Sequence, residues 1–161
     1  MISEFEFYHG VAFARMLHVM QKELAIRPYS TADNAAYVVD RSIGIYIKHS
    51  TKRLSPWRFS FQRRHRDKIT ELKESLGRAF LLLVCNDDGV VVLSFDEFRQ
   101  ILNEAHGDTE WISAARNPRQ MYSIKGSDGE LRFKVRKDEF LGKLFPAETN
   151  PSRLTHTDAA T

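Results

Sequence analysis

Ala36-Tyr37-Val38-Val39-Asp40-Arg41-Ser42-Ile43-Gly44-Ile45-Tyr46-Ile47-Lys48 is the stretch that decides the fold class. Two short runs rich in β-branched and aromatic residues flank Asp40, Arg41 and Ser42, which suit a turn, so the segment reads as a β-hairpin. Alternation along the second run puts Tyr46 and Lys48 on one face and Ile45 and Ile47 on the other. The hairpin leads into the densest positive charge of the chain. From Arg41 to Lys68, nine Lys or Arg residues stand against Asp67 alone, a local formal charge of +8 in a chain that totals +3. Tyr46, Trp57, Phe59 and Phe61 are interleaved with those cations. Such a mixture attracts phosphates and offers rings to bases. It also suits an ordinary solvated face whose aromatic residues belong to the core.

With 161 residues, 42% of them hydrophobic, the chain has material for one core. We expect a single α/β domain over 1–146 and a disordered polar tail over 147–161. The single cysteine, Cys85, ends the apolar run Phe80-Leu81-Leu82-Leu83-Val84 and reads as a small buried hydrophobe in a reducing compartment. That run falls far short of the roughly 20 residues needed to cross a bilayer. Glu4 and Glu6 stand where a signal peptide would carry positive charge. The expectation is a cytoplasmic protein without a membrane partner.

Outward from the hairpin, Phe13, Met16, Leu17, Met20 and Leu24 repeat on one helical face, which predicts a helix from about residue 6 to 25, stopped by Pro28. Trp57, Phe59 and Phe61 alternate with Arg58, Ser60 and Gln62, predicting a short strand. His65, Ile69, Leu72 and Leu76 define a helix over about 63–76, ended by Gly77. Arg63, Arg64 and Arg66 crowd its first turn, where positive charge opposes the macrodipole unless an anion docks. Residues 79–85 read as a strand buried on both faces, with Val90–Leu93 as its hairpin mate. Ser94 and Glu97 form a capping box for the next helix. Trp111–Ala115, Gln120–Lys125 and Glu130–Val135 read as three strands, followed by a short helix around Glu139–Leu144.

The order of helix, hairpin ending in apolar-x-Lys, amphipathic helix, buried strand, hairpin strand and helix resembles the core of the PD-(D/E)xK nuclease superfamily, the restriction-endonuclease-like fold that includes Holliday junction resolvases. The resemblance covers about residues 6–105. It implies an α/β fold, a mixed β-sheet flanked by helices, to which this chain adds a C-terminal β-hairpin region. It also implies an Asp at the start of one strand and an acid-x-Lys on the next. Asp33 and Lys48 match as catalytic residues, with Asp33 the metal ligand, but Tyr46 stands where the second carboxylate belongs. A phenol with a pKa near ~10 is a poor Mg²⁺ ligand at neutral pH. A migrated carboxylate would restore the site, and Glu23 on the first helix, Glu71 or Glu74 on the second, or Asp40 in the turn are the candidates. Mg²⁺ is the cofactor if the nuclease reading holds.

No pair of the six histidines has zinc-ligand spacing with a cysteine, and no Gly-x-Ser-x-Gly or phosphate-loop signature is present. The leading expectation is therefore a nucleic-acid-binding, DNA-binding protein with a nuclease-like, catalytically degenerate core. Lys48, Lys52, Arg53, Trp57, Arg58, Arg63, Arg64 and Arg66 form its binding surface. The alternatives are a protein-interaction or inhibitor module whose basic face meets an acidic protein, and a metal-dependent nuclease with a migrated carboxylate. A second copy of the chain is a further partner to be considered.

Overall fold

The hairpin forms as expected in a computed structural model that describes residues 1–29, 34–104 and 107–146. Its strands are β2 (Ala36–Val39) and β3 (Ile43–Ser50), and the three-residue connection Asp40–Ser42 turns through positive φ at Asp40 and Arg41, with the Ser42 N–H given to the Val39 carbonyl. Before them come helix α1 (Glu4–Met20) and a short strand, β1 (Ile26–Pro28); after them come β4 (Trp57–Gln62), helix α2 (Arg63–Leu76), β5 (Arg78–Cys85), β6 (Gly89–Ser94) and helix α3 (Phe95–Ile101). Strands β7 (Thr109–Ala115), β8 (Ser123–Gly126) and β9 (Gly129–Glu130) and helix α4 (Phe140–Leu144) complete the described chain.

Two sheets result. The larger is mixed and ordered β1-β2-β3-β5-β6, with β3 and β5 parallel and the other neighbours antiparallel. The smaller is antiparallel and ordered β4-β7-β8-β9. β4 and α2 form the crossover that joins the parallel pair, since parallel strands cannot be joined by a tight turn. The edges of the larger sheet are protected. β1 is three residues long and ends in proline, while Asp138 exchanges bonds with Val90 and the Lys143 ammonium donates to the Val92 carbonyl along β6.

Alternation in the larger sheet sorts its side chains into two cores. Ile43, Ile45, Ile47, Phe80, Leu82, Val84, Val90 and Val92 face α1 and α4. Tyr46, Leu81, Leu83, Cys85, Val91 and Leu93 face α2, α3 and the inner side of the smaller sheet, where Trp57, Phe59, Phe61, Ile112 and Ile124 meet them. Each such side chain, fully buried, contributes about 1.5–3 kcal/mol. Helix α2 presents Ile69 and Leu72 to this second core, and Gly77 ends it at φ +80°.

Several boundaries differ from expectation. Helix α1 ends at Met20, not near 25, because Gln21 turns left-handed and gives its N–H to the Leu17 carbonyl. Leu24 still packs on the core, but from the connection to β1. Glu23 is therefore not a helix residue. The strand expected over 130–135 contracts to Gly129–Glu130 plus an isolated bridge between Tyr122 and Val135. No helix of the described residues is long and apolar enough to cross a membrane. The expected tail over 147–161 lies outside the described residues.

Candidate functional site

Lys48 sits where the alternation of β3 places it, on the face shared with α2 and β4. Its ammonium lies 3.4 Å from His65 Nδ1 and 5.1 Å from the centre of the Phe61 ring. His65 is the third residue of α2, and its Nδ1 also accepts the Gln62 N–H at 3.1 Å, which closes the helix start. The Gln62 N–H makes Nδ1 an acceptor, so the ring proton is assigned to Nε2, and the Lys48 ammonium is the longer, second contact of the same nitrogen. Ala36, the first residue of β2, pairs with Tyr46, so the described part of β2 does not extend beside Lys48 and His49. A cleft of about 340 Å³ opens there, lined by Asn34, Tyr46, Lys48, His49, Arg64 and His65, with Phe5 and His9 of α1 on the far side. His49 faces away from Lys48, stacking on Tyr8 at 4.4 Å and contacting Glu4 through Nε2 at 2.7 Å.

The described lining contains two permanent cations, Lys48 and Arg64, and no carboxylate. Asp33 lies outside the described residues; its chain neighbour Asn34 lines the cleft. The alternative acids stand elsewhere. Glu23 is exposed between α1 and β1. Glu71 is exposed on α2 and committed to the Lys68 ammonium at 2.5 Å, a bond that holds its carboxyl below the usual carboxylate range, and it also accepts from the Tyr29 hydroxyl. Glu74 is exposed on the same helix. Asp40 serves the turn, accepting the Ala25 N–H at 3.0 Å. None of the four lines the cleft. Among the described residues no group of three His, Cys, Asp or Glu could hold a metal ion. Tyr46, where a second carboxylate would stand, is 1% exposed. The described donors therefore do not fit Mg²⁺, which wants several hard oxygens in an octahedron.

The basic window divides. Lys52, Arg53, Arg58, Arg63 and Arg64 face solvent. Arg58 lies 4.4 Å over the Trp111 ring, Lys52 donates to the Pro56 carbonyl, and Arg64 donates to the Gln62 side chain. Arg66 does not belong with them. It is 6% exposed, donates to the Gly107 carbonyl and lies 3.8 Å from Glu110, itself 4% exposed, tying α2 to β7. Trp57 is likewise a core residue at 3% exposure, with its indole N–H given to the Lys52 carbonyl. Phe59, Phe61 and Tyr46 are buried with it. The rings expected to meet bases thus hold the two sheets together.

Accessible aromatic residues lie elsewhere, Phe7 of α1 at 60% exposure among them. Trp111 is half-buried on the outer face of β7, and Phe133 is 76% exposed beside Arg132. Sequence reasoning missed both. Glu110-Trp111-Ile112 gives no clean polar and apolar alternation, and only the burial of Glu110 reveals which residue points in. Arg132-Phe133-Lys134 did carry a signal, a ring between two cations, but it fell in a segment read as strand. Compared with known proteins, the chain matches no family model, no curated protein and no solved structure.

Proposed function

We propose that the protein binds nucleic acid by its phosphates, through a nuclease-like core that holds the strand without cleaving it. The observation that carries this reading is the run of solvent-facing cations Lys52, Arg53, Arg58, Arg63 and Arg64, the last of which lines the cleft of Lys48. Arg63 and Arg64 open α2, whose first turn contains no acid. Their charges oppose the helix dipole by a few tenths to ~1 kcal/mol each, an opposition that a bound phosphate relieves. The element order supports the nuclease-like part of the reading: a β-hairpin ending in Tyr46-Ile47-Lys48, a crossover through α2, and a buried strand parallel to the hairpin. Lys48 supplies a point charge to the phosphate. His65, accepting from that ammonium, fixes its position. Tyr46 brings no negative charge to a metal, so phosphate binding stops short of hydrolysis.

The test uses Arg63→Ala/Arg64→Ala and leaves Arg66 intact, because removing a buried pair would unfold the answer with the site. Binding to a labelled oligonucleotide is followed by anisotropy across a potassium chloride series. The double variant should lower the slope of log K against log salt by about 1.4–1.8, for two phosphate contacts at ~0.7–0.9 each. Neither DNA nor RNA should be cut in Mg²⁺ or Mn²⁺. An unchanged slope in a folded double variant would move the surface away from the start of α2. Robust cleavage abolished by Lys48→Ala would replace the binding reading with a nuclease.

A further inference from the structure

The outer face of the smaller sheet presents Arg58, Ser60, Gln62, Lys125 and Glu130 exposed and Trp111 half-buried, around a Ser113 that is 7% exposed, a composition unlike that of a merely solvated face. Register brings Arg58 of β4, Ser113 of β7, Lys125 of β8 and Glu130 of β9 into one row across the sheet. The next row is centred on Trp111, paired with Ser60, and its backbone N–H donates to the Ser127 hydroxyl at 2.9 Å. Glu130 is the one acid among the outward residues of the described strands, and Lys125 stands opposite it. Arg58 lies over the Trp111 ring. From Arg58 along β4 to Gln62 is roughly 13 Å, and Arg63 and Arg64 follow at once. The face therefore has an aromatic ring with Arg58 over it and Lys125 in the adjacent row, and at the end of β4 it leads into Arg63 and Arg64 at the start of α2.

We infer that this face is a stacking platform for single-stranded nucleic acid, a proposal that rests on the nucleic-acid reading above and names the form of strand it takes. Unpaired bases present a flat π surface that stacks on an indole or on a guanidinium plane, whatever their sequence. Paired bases are stacked inside their own helix and cannot lie against a ring seated on a sheet. Arg58, over the Trp111 ring, and Lys125 in the adjacent row meet the backbone beside the ring, and the strand continues along β4 toward Arg64 at the Lys48 cleft. The Ser60 hydroxyl beside Trp111 suits base edges without demanding one base, while the Gln62 side chain is held by Arg64 at the start of α2. The chain carries two tryptophans, and Trp57 is in the core, so the emission of Trp111 can be isolated by Trp57→Phe.

The experiment titrates the full-length Trp57→Phe protein with oligo(dT), oligo(rU) and a duplex of the same length. In parallel, the natural protein, Trp111→Ala and Trp111→Phe are compared by anisotropy. Single strands should quench Trp111 saturably and the duplex should not. Trp111→Ala should weaken single-strand binding about ten-fold or more while duplex binding stays, and Trp111→Phe should restore most of the loss. If single strands bind but leave the emission unchanged, and Trp111→Ala binds as tightly as the natural protein, the platform is wrong while the nucleic-acid reading survives. If neither single strands nor duplex bind in a salt-dependent way, both fall, and the cations belong to an acidic protein partner.

Discussion

Tyr46, at 1% exposure, shares a face of β3 with Lys48 two residues on. Replacing it by glutamate puts an ionised group into a packed core, with the Lys48 ammonium as partial compensation. We expect Tyr46→Glu to lower stability by ~2–4 kcal/mol and to bind Mg²⁺, so that its urea midpoint rises with added Mg²⁺ while that of the natural protein does not. Ten times the dissociation constant of metal would add about 1.4 kcal/mol. A midpoint indifferent to Mg²⁺ in the variant would dissociate Tyr46 from any ligand position. A second residue-scale expectation concerns Asp88, whose carboxylate takes two bonds from Arg116, at 2.8 and 2.5 Å, and one from the Tyr122 hydroxyl. The Arg116 guanidinium, aided by Tyr122 and by the nearby Lys137 charge, holds this carboxyl below the usual range against the opposing effect of burial. Its contribution to stability is therefore present above the unfolded carboxyl pKa of about 4 and is lost as pH falls below it. Asp88→Asn should cost on the order of 1–3 kcal/mol at pH 7 and flatten the acid limb of the melting temperature. An acid limb identical to that of the natural protein would assign it to other carboxylates.

At the scale of elements, local signals were the readable ones. The stripe of α2, the Ser94–Glu97 capping box and the uniformly apolar β5 all depend on neighbours within a few residues, and each element lies where those neighbours put it. What could not be read was pairing. Alternation shows that Trp57–Gln62 is a strand with one apolar face, but its partner, Thr109–Ala115, is about fifty residues away and makes a second sheet. For the same reason β1 was invisible: three residues ending in proline form a strand only because Val38 and its neighbours accept them. The Gly126-Ser127-Asp128-Gly129 turn was legible as a turn, yet its seat was not. Cβ atoms at Gly126 and Gly129 would collide with the backbone carbonyls of Ile101 and Gln100, and the Asp128 N–H bonds the Ile101 carbonyl at 3.0 Å. The turn thus completes the end of α3. Gly126→Ala should cost more than about 2 kcal/mol by urea denaturation, since backbone cannot yield as a side chain does. Gly10→Ala, exposed on α1 with nothing within 4 Å, should instead gain ~0.5–1 kcal/mol. Equal effects at the two positions would contradict this placement of the turn.

Over the whole molecule, the buried aromatics of the basic window explain why its cations stay at the surface. Trp57, Phe59 and Phe61 bind β4 to the larger sheet, and alternation then forces Arg58, Ser60 and Gln62 outward. The charge pattern was thus readable as a surface, while the division of labour between rings and cations needed the fold. Cys85 sits at the junction of this arrangement. It is fully buried in the core that both sheets share, at the end of β5, where its carbonyl accepts the N–H of Asp88 from the Asp88–Arg116–Tyr122 cluster that ties the β5–β6 turn to the smaller sheet, and burial pushes its thiol pKa up. A thiol so placed becomes reactive when the sheets part. With a disulfide reagent added along a urea series, the onset of Cys85 labelling should coincide with the loss of tryptophan emission and of circular dichroism, as one cooperative unit requires. Labelling that begins well below the dichroism transition would mean that the smaller sheet detaches while the larger one still stands, and residues 1–146 would then be two folding units sharing one interface.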